Sequence, residues 1–114
     1  MKPLMAPDEQ LAQALREKVP YAERFTVYTV SGRGGMMATI AYSFVEVVGL
    51  MSVENGFLDP IALSVWVRDS YNDVELSERL ETGCKAEPTL FGRMQVVRYL
   101  LQQRLAQCNE LAVS

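Results

Sequence analysis

The sequence predicts an α+β fold. It is expected to begin with an N-terminal helix, continue with a three- to four-stranded antiparallel sheet and end with two C-terminal helices that pack on one face of the sheet. The run from Phe25 to Val30 contains only β-branched and aromatic residues, which is typical of a strand. Apolar residues alternate between Phe57 and Arg68 and recur every three or four positions after Pro88, which indicates a second strand and an amphipathic helix. With 49% hydrophobic residues, the chain is expected to form a single compact domain over residues 1–114.

The first helix is predicted to begin at Pro7 and to end before Pro20. A proline suits the first helical position because its missing N–H would have no partner there. The apolar stripe of this helix is narrow and consists of Leu11, Leu15 and Val19.

The segment from Met37 to Val48 fits two periodicities. Alternation would place one set of side chains on a single strand face, namely Ile40, Tyr42, Phe44 and Val48. A helical stripe would instead contain Met37, Ile40, Phe44, Val48 and Met51. We favour the strand because β-branched residues are frequent here and Gly49 would weaken a helix by about 1 kcal/mol relative to Ala. If the segment is helical, the sheet is smaller.

A hairpin and a returning strand are predicted next. Asn55-Gly56 is the commonest signature of a two-residue type I′ turn. The returning strand is expected over Phe57–Arg68, with its core side formed by Ile61, Leu63, Val65 and Val67. Pro60 cannot donate a ladder hydrogen bond, so it indicates a bulge or places this strand at the sheet edge.

Two helices complete the predicted fold. Asn72 with Glu75 three residues later has the spacing of a capping box, and the short helix that follows is expected to reach Thr82, with Gly83 as its left-handed cap. Pro88 opens the last and longest helix.

Composition excludes several function classes. The chain contains no His, the usual proton shuttle and commonest metal ligand, so we predict no catalytic residue, metal or cofactor and favour a non-enzyme. A net charge of −3 argues against direct nucleic-acid binding. The apolar run from Met36 to Met51 is too short and too polar to span a membrane. Cys84 and Cys108 are expected to be free thiols in a cytoplasmic protein that has no secretory signal; a single disulfide between them is the alternative.

Two short features are weak candidates for chemistry. Gly32, Arg33, Gly34 and Gly35 form a loop whose amides and guanidinium could hold an anion, although a plain hairpin turn explains the same residues. Glu46 lies in the most apolar part of the chain, where burial would raise its pKa and suit it to acid–base chemistry, unless it is an outward-facing polar residue.

The favoured function is a small acidic protein-binding module, such as an adaptor, inhibitor or chaperone-like cofactor, that is itself a homodimer. Its interface is expected on the edge strand and the last helix, through Trp66, Arg68, Arg98, Tyr99 and Arg104. The acidic balance favours a basic or nucleic-acid-binding protein as partner. The alternative is a small-molecule binder or His-independent enzyme with a pocket lined by Tyr42, Phe44, Glu46 and Trp66. Trp66 has a competing interpretation as a covered residue of the sheet.

Overall fold

A computed structural model of the chain describes residues 4–30, 34–52 and 56–113. The elements in chain order are α1 (Glu9–Ala14), a 3-10 turn (Tyr21–Glu23), β1 (Phe25–Val30), β2 (Met36–Ala41), α2 (Phe44–Met51), β3 (Gly56–Phe57), α3 (Pro60–Tyr71), α4 (Val74–Lys85) and α5 (Leu90–Val113). The predicted α+β class is confirmed, as are the antiparallel sheet and the packing of C-terminal helices on it.

Within the described residues the sheet has three strands, in the order β2-β1-β3, and both pairs are antiparallel. β1 and β2 pair along their whole length, from Phe25 opposite Ala41 to Val30 opposite Met36. β3 adds two residues, of which Phe57 lies opposite Tyr28. The fourth strand that the sequence allowed is not found in these ranges.

The segment Met37–Val48 was predicted as one strand, and this is wrong beyond Ala41. β2 ends there, and α2 begins at Phe44. Ser43 is the N-cap of α2 and its Oγ accepts a hydrogen bond from Glu46 N at 3.1 Å. Glu46 Oε2 in turn accepts one from Tyr42 N at 2.5 Å. These two hydrogen bonds satisfy amides at the helix start, so the local capping chemistry outweighs the β-branched composition.

The strand predicted over Phe57–Arg68 is also wrong, because α3 occupies Pro60–Tyr71. Asp59 is the N-cap of this helix, and its Oδ1 accepts from Ile61 N at 3.0 Å. Pro60 therefore marks a helix start and not a sheet edge. The predicted Asn55-Gly56 turn lies partly outside the described residues, and Gly56 pairs with Thr29 of β1.

The N-cap of α4 lies one residue later than predicted. Asn72 is the C-cap of α3, with a left-handed φ of 58°, and its N–H donates to Arg68 O at 2.9 Å. Asp73, not Asn72, is the N-cap of α4, and it accepts from Leu76 N at 3.1 Å. Gly83 lies inside α4 and is not its cap.

The first helix differs from its prediction, and the last helix agrees with it. The N-terminal helix is not confirmed over its predicted length, because α1 covers only Glu9–Ala14, with Asp8 as its N-cap. The last helix is found where it was expected, as α5 begins two residues after Pro88. Its buried residues include Met94, Val97 and Leu101.

Candidate protein-binding surface

The sheet presents one face that the described helices do not cover. Directly opposed residues of paired strands share a face. The register therefore places seven side chains together, a set that we call the outer face: Thr26, Tyr28, Val30, Met36, Ala38, Ile40 and Phe57. None of these seven residues carries a charge.

The opposite face of the sheet is the one on which the helices pack. Phe25, Val27 and Ala41 are 8%, 0% and 0% exposed, and the Phe25 ring lies 5.2 Å from the ring of Trp66 in α3. The helices cover this face only towards the Phe25 end of the strands, since Met37 on the same face is 64% exposed. On the outer face, Met36 is 64% exposed and Ile40 is 44% exposed. An antiparallel sheet with one solvated face usually carries polar residues there. Exposed apolar residues at these positions indicate an interaction surface.

Aromatic rings lie on and beside the outer face. The rings of Tyr28 and Phe57 stack with their centroids 5.5 Å apart. Beyond the end of β2, the centroids of Tyr21 and Tyr42 are 6.4 Å apart, and the guanidinium of Arg24 lies 4.0 Å from the Tyr21 ring centroid. Tyr and Arg are enriched at the energetic centres of protein interfaces.

The free edge of β2 adjoins the outer face. In the ranges that the structure describes, β2 pairs with β1 alone. Its sequence, Met-Met-Ala-Thr-Ile-Ala, contains no charged residue and no proline. Charged residues and prolines commonly protect natural edge strands against pairing with other chains. This edge lacks that protection.

Trp66 is a buried residue of α3, and its role in partner binding stays a prediction. It is 7% exposed, its ring lies 5.2 Å from the Tyr71 ring, and its Nε1 donates to Glu23 O at 2.5 Å. Its predicted position on an edge strand is therefore wrong. Arg68 lies on the exposed side of α3, 3.7 Å from the carboxylate of Asp69.

The three residues of the last helix that were predicted to bind a partner do not form one surface. Arg104 is 1% exposed and belongs to the interior. Arg98 donates from Nε to Met51 O and from Nη2 to Gly56 O, both at 2.8 Å, and so ties α5 to the segments that flank residues 53–55. Tyr99, at 44% exposure, remains on the surface. Their role in partner binding stays a prediction.

Glu46 is exposed, in agreement with the outward-facing alternative, although it lies on α2 and not on a strand. Its carboxylate accepts the Tyr42 amide, while Phe44 is 0% exposed and cannot line an open pocket in this conformation. In the glycine loop, Gly32 and Arg33 lie outside the described residues, and Gly34 adopts a φ of 85°. Anion binding by this loop stays a prediction.

Both cysteines are free and buried. Burial raises the pKa of the Cys84 and Cys108 thiols, which lowers their reactivity. Among the described residues, no three His, Cys, Asp or Glu side chains come together to hold a metal ion. The helices of the described ranges are all too short or too polar to cross a bilayer.

Comparisons with protein-family models, with curated proteins and with solved structures found no match for this chain.

The outer face was not predicted from the sequence. The alternation in β2 was visible, but it was extended through Phe44 to Val48, so Ile40 was placed on the same strand face as those two residues. Ser43 is the signal that could have ended the strand, because it is followed three residues later by Glu46. With the strand ended at Ala41, Met36, Ala38 and Ile40 would have been recognised as one uncharged strand face.

Proposed function

We propose that this chain is a protein-binding module that uses the outer face of its sheet, and that its partner there is a second copy of the chain. The observation that supports this proposal most strongly is the composition of the outer face. Seven outward residues of a sheet lie where solvent-facing polar residues are expected, and none is charged.

An uncharged face is compatible with self-association. The chain has a net charge of −3, so two copies repel each other weakly. Packing through an uncharged face brings no like charges into direct contact. Two sheets can pack face to face about 10 Å apart with their strands about 30° from parallel, and the helices would then lie on the two outer sides.

The size of the surface indicates a reversible complex. Three strands of this length have a flat footprint of roughly 300 Å². A standard interface buries about 800 Å² on each partner. Tyr21 and Tyr42 lie beside β2 and can enlarge the contact, but the dimer is expected to depend on concentration.

Sedimentation velocity over a wide range of concentration tests the proposal. The wild-type chain should shift from monomer to dimer as concentration rises. Ile40→Lys places a charge in the outer face and should stay monomeric. Val65→Lys is the matched control, because Val65 is exposed to a similar extent, 39% against 44%, but lies on α3. Circular dichroism establishes that both variants are folded. A wild-type chain that stays monomeric throughout, or an Ile40→Lys variant that dimerises as well as wild type, would contradict the proposal.

The adaptor, inhibitor and chaperone-like roles and the cytoplasmic location stay predictions, as does a basic partner. The outer face provides a surface for such a partner when it is not occupied by a second copy.

A further inference from the structure

A groove formed by side chains of α4 and α5 holds the N-terminal segment through its main chain. Leu4 N donates to Gln103 Oε1 at 3.1 Å, and Gln107 Nε2 donates to Leu4 O at 2.8 Å. Both backbone groups of Leu4 are thus paired with side chains of α5. Two consecutive turns of one helix therefore bind both backbone polar groups of one residue.

The next residue is held in the same manner from two helices. Met5 N donates to Glu75 Oε2 of α4 at 2.9 Å, and Arg104 Nη1 of α5 donates to Met5 O at 2.8 Å. Four side chains therefore satisfy all four backbone polar groups of two residues that lie outside any helix or strand. We call these four, Gln103, Gln107, Glu75 and Arg104, the clamp.

The clamp is held together by contacts that do not involve the N-terminal segment. Arg104 Nη2 donates to Glu75 Oε1 at 3.0 Å, and Arg104 Nη1 donates to Gln107 Oε1 at 2.9 Å. Behind them, Arg104 Nε lies 3.0 Å from Asp73 Oδ2, and both side chains are 1% exposed. The clamp residues are therefore oriented by a buried ion pair, which is the preorganisation that a binding site needs.

The clamp binds the main chain, and only one of the two side chains that it holds is buried. Leu4 is 5% exposed, whereas Met5 is 76% exposed. Main-chain hydrogen bonds combined with a pocket for one apolar side chain are a recurring mode of recognition of extended peptides. A bound segment would need a leucine-like residue at the first position and would tolerate many residues at the second.

We propose that the groove between α4 and α5 is a peptide-binding site for an extended, leucine-bearing segment of another protein, and that the chain's own N-terminal segment occupies it in competition. A tethered segment acts at an effective concentration in the millimolar range, so a separate peptide must displace it. The apparent affinity of the intact chain is reduced by the fraction of molecules whose groove is open. This site is separate from the outer face.

Fluorescence anisotropy with a labelled peptide of sequence Met1–Asp8, blocked at both ends, tests the proposal on the full chain. Leu4→Gly removes the anchor of the tethered segment, and it should bind the peptide at least about tenfold more tightly than wild type. Ala6→Gly is the matched control, because Ala6 is exposed and lies outside the two clamped residues, and it should bind like wild type. A peptide that carries Asp in place of Leu at the anchor position should not bind.

A second variant tests the clamp itself. Gln107→Glu keeps an oxygen for Arg104 Nη1 but removes the N–H that donates to Leu4 O. Combined with Leu4→Gly, it should weaken peptide binding about tenfold, the loss expected for one hydrogen bond to an uncharged acceptor. If the double variant binds the peptide as tightly as Leu4→Gly alone, the Gln107 side chain does not bind the peptide main chain as proposed.

A measurement on the wild-type chain keeps the proposal testable even if Leu4→Gly does not fold. Excess unlabelled peptide should shift the amide NMR signals of Leu4 and Met5 as the tethered segment leaves the groove. Unchanged signals at saturating peptide would overturn the proposal. If Leu4→Gly no longer self-associates, the N-terminal segment of one copy occupies the groove of another copy. That result would also overturn the proposal. Ile40→Lys should bind the peptide like wild type, which separates this test from that of the outer face.

Discussion

The guanidinium of Arg104 and the carboxylate of Asp73 form an ion pair in the interior, with Nε and Oδ2 3.0 Å apart and both side chains 1% exposed. The same carboxylate is the N-cap of α4, since Asp73 Oδ1 accepts from Leu76 N. Burial raises the pKa of Asp73, and the neighbouring Arg104 opposes that shift. One side chain thus starts a helix and balances a buried cation on α5.

Asp73→Asn should lower the free energy of unfolding by about 3 kcal/mol, because Asn still caps a helix but leaves a buried guanidinium short of one counter-charge. Urea denaturation measures the change. Glu81→Gln, in the exposed pair with Lys85, is the control and should produce no measurable change. An Asp73→Asn variant as stable as Glu81→Gln would show that the buried pair does not stabilise the fold.

Trp66→Ala should lower the free energy of unfolding by about 3–5 kcal/mol, since it opens a cavity against Phe25 and Tyr71. Thermal or urea denaturation measures the loss. The fraction that remains folded should still self-associate like wild type. A folded Trp66→Ala chain that no longer dimerises would return Trp66 to the interface.

Stability should fall at high pH because of Tyr71. Burial raises the pKa of its hydroxyl to about 12 from an ordinary value of 10.0, so the folded chain holds this proton more tightly than the unfolded chain. The stabilisation is complete below pH 10 and is lost as pH rises from 10 to 12, by up to about 2 kcal/mol.

Tyr71→Phe isolates this effect. The variant loses the hydrogen bonds of Tyr71 Oη with Phe44 N and Glu17 O, so it should be less stable than wild type at neutral pH. The difference between the two proteins should shrink as pH rises from 10 towards 12. A constant difference in urea denaturation across this range would show that Tyr71 titrates normally.

The effect of substituting Asn72 on stability should depend on its backbone conformation. Its φ of 58° lies in the left-handed region, which glycine adopts without strain and alanine does not. Asn72→Gly should therefore be neutral or slightly stabilising, and Asn72→Ala should be about 1 kcal/mol less stable than Asn72→Gly. Equal melting temperatures of the two variants would contradict this account.

The fold class could be predicted because composition and periodicity act over whole segments. The run Phe25–Val30 and the long helix after Pro88 each have one dominant pattern, and both are found. Over Phe57–Arg68, two patterns share the same residues. Leu63 and Val67 lie on one side of a strand and also four apart on a helix, so alternation could not decide between them. The Asp59 cap decides it.

The candidate surface could not be predicted for a related reason. Which face of a strand meets solvent depends on where the helices pack, and this is a long-range property. Once Trp66 is in α3 and packs on Phe25, the other side of β1 is left uncovered, and Tyr28 becomes an outward residue. The two-residue strand that contains Phe57 was also too short to detect by periodicity.

NMR spectra recorded during dilution test the central claim most directly, because they locate the self-association. Signals of Tyr28, Met36 and Ile40 on the outer face should change as the concentration falls, while those of Val65 on α3 stay constant. Signals that do not change with concentration, or changes that appear on α3 while the outer face stays constant, would contradict the account.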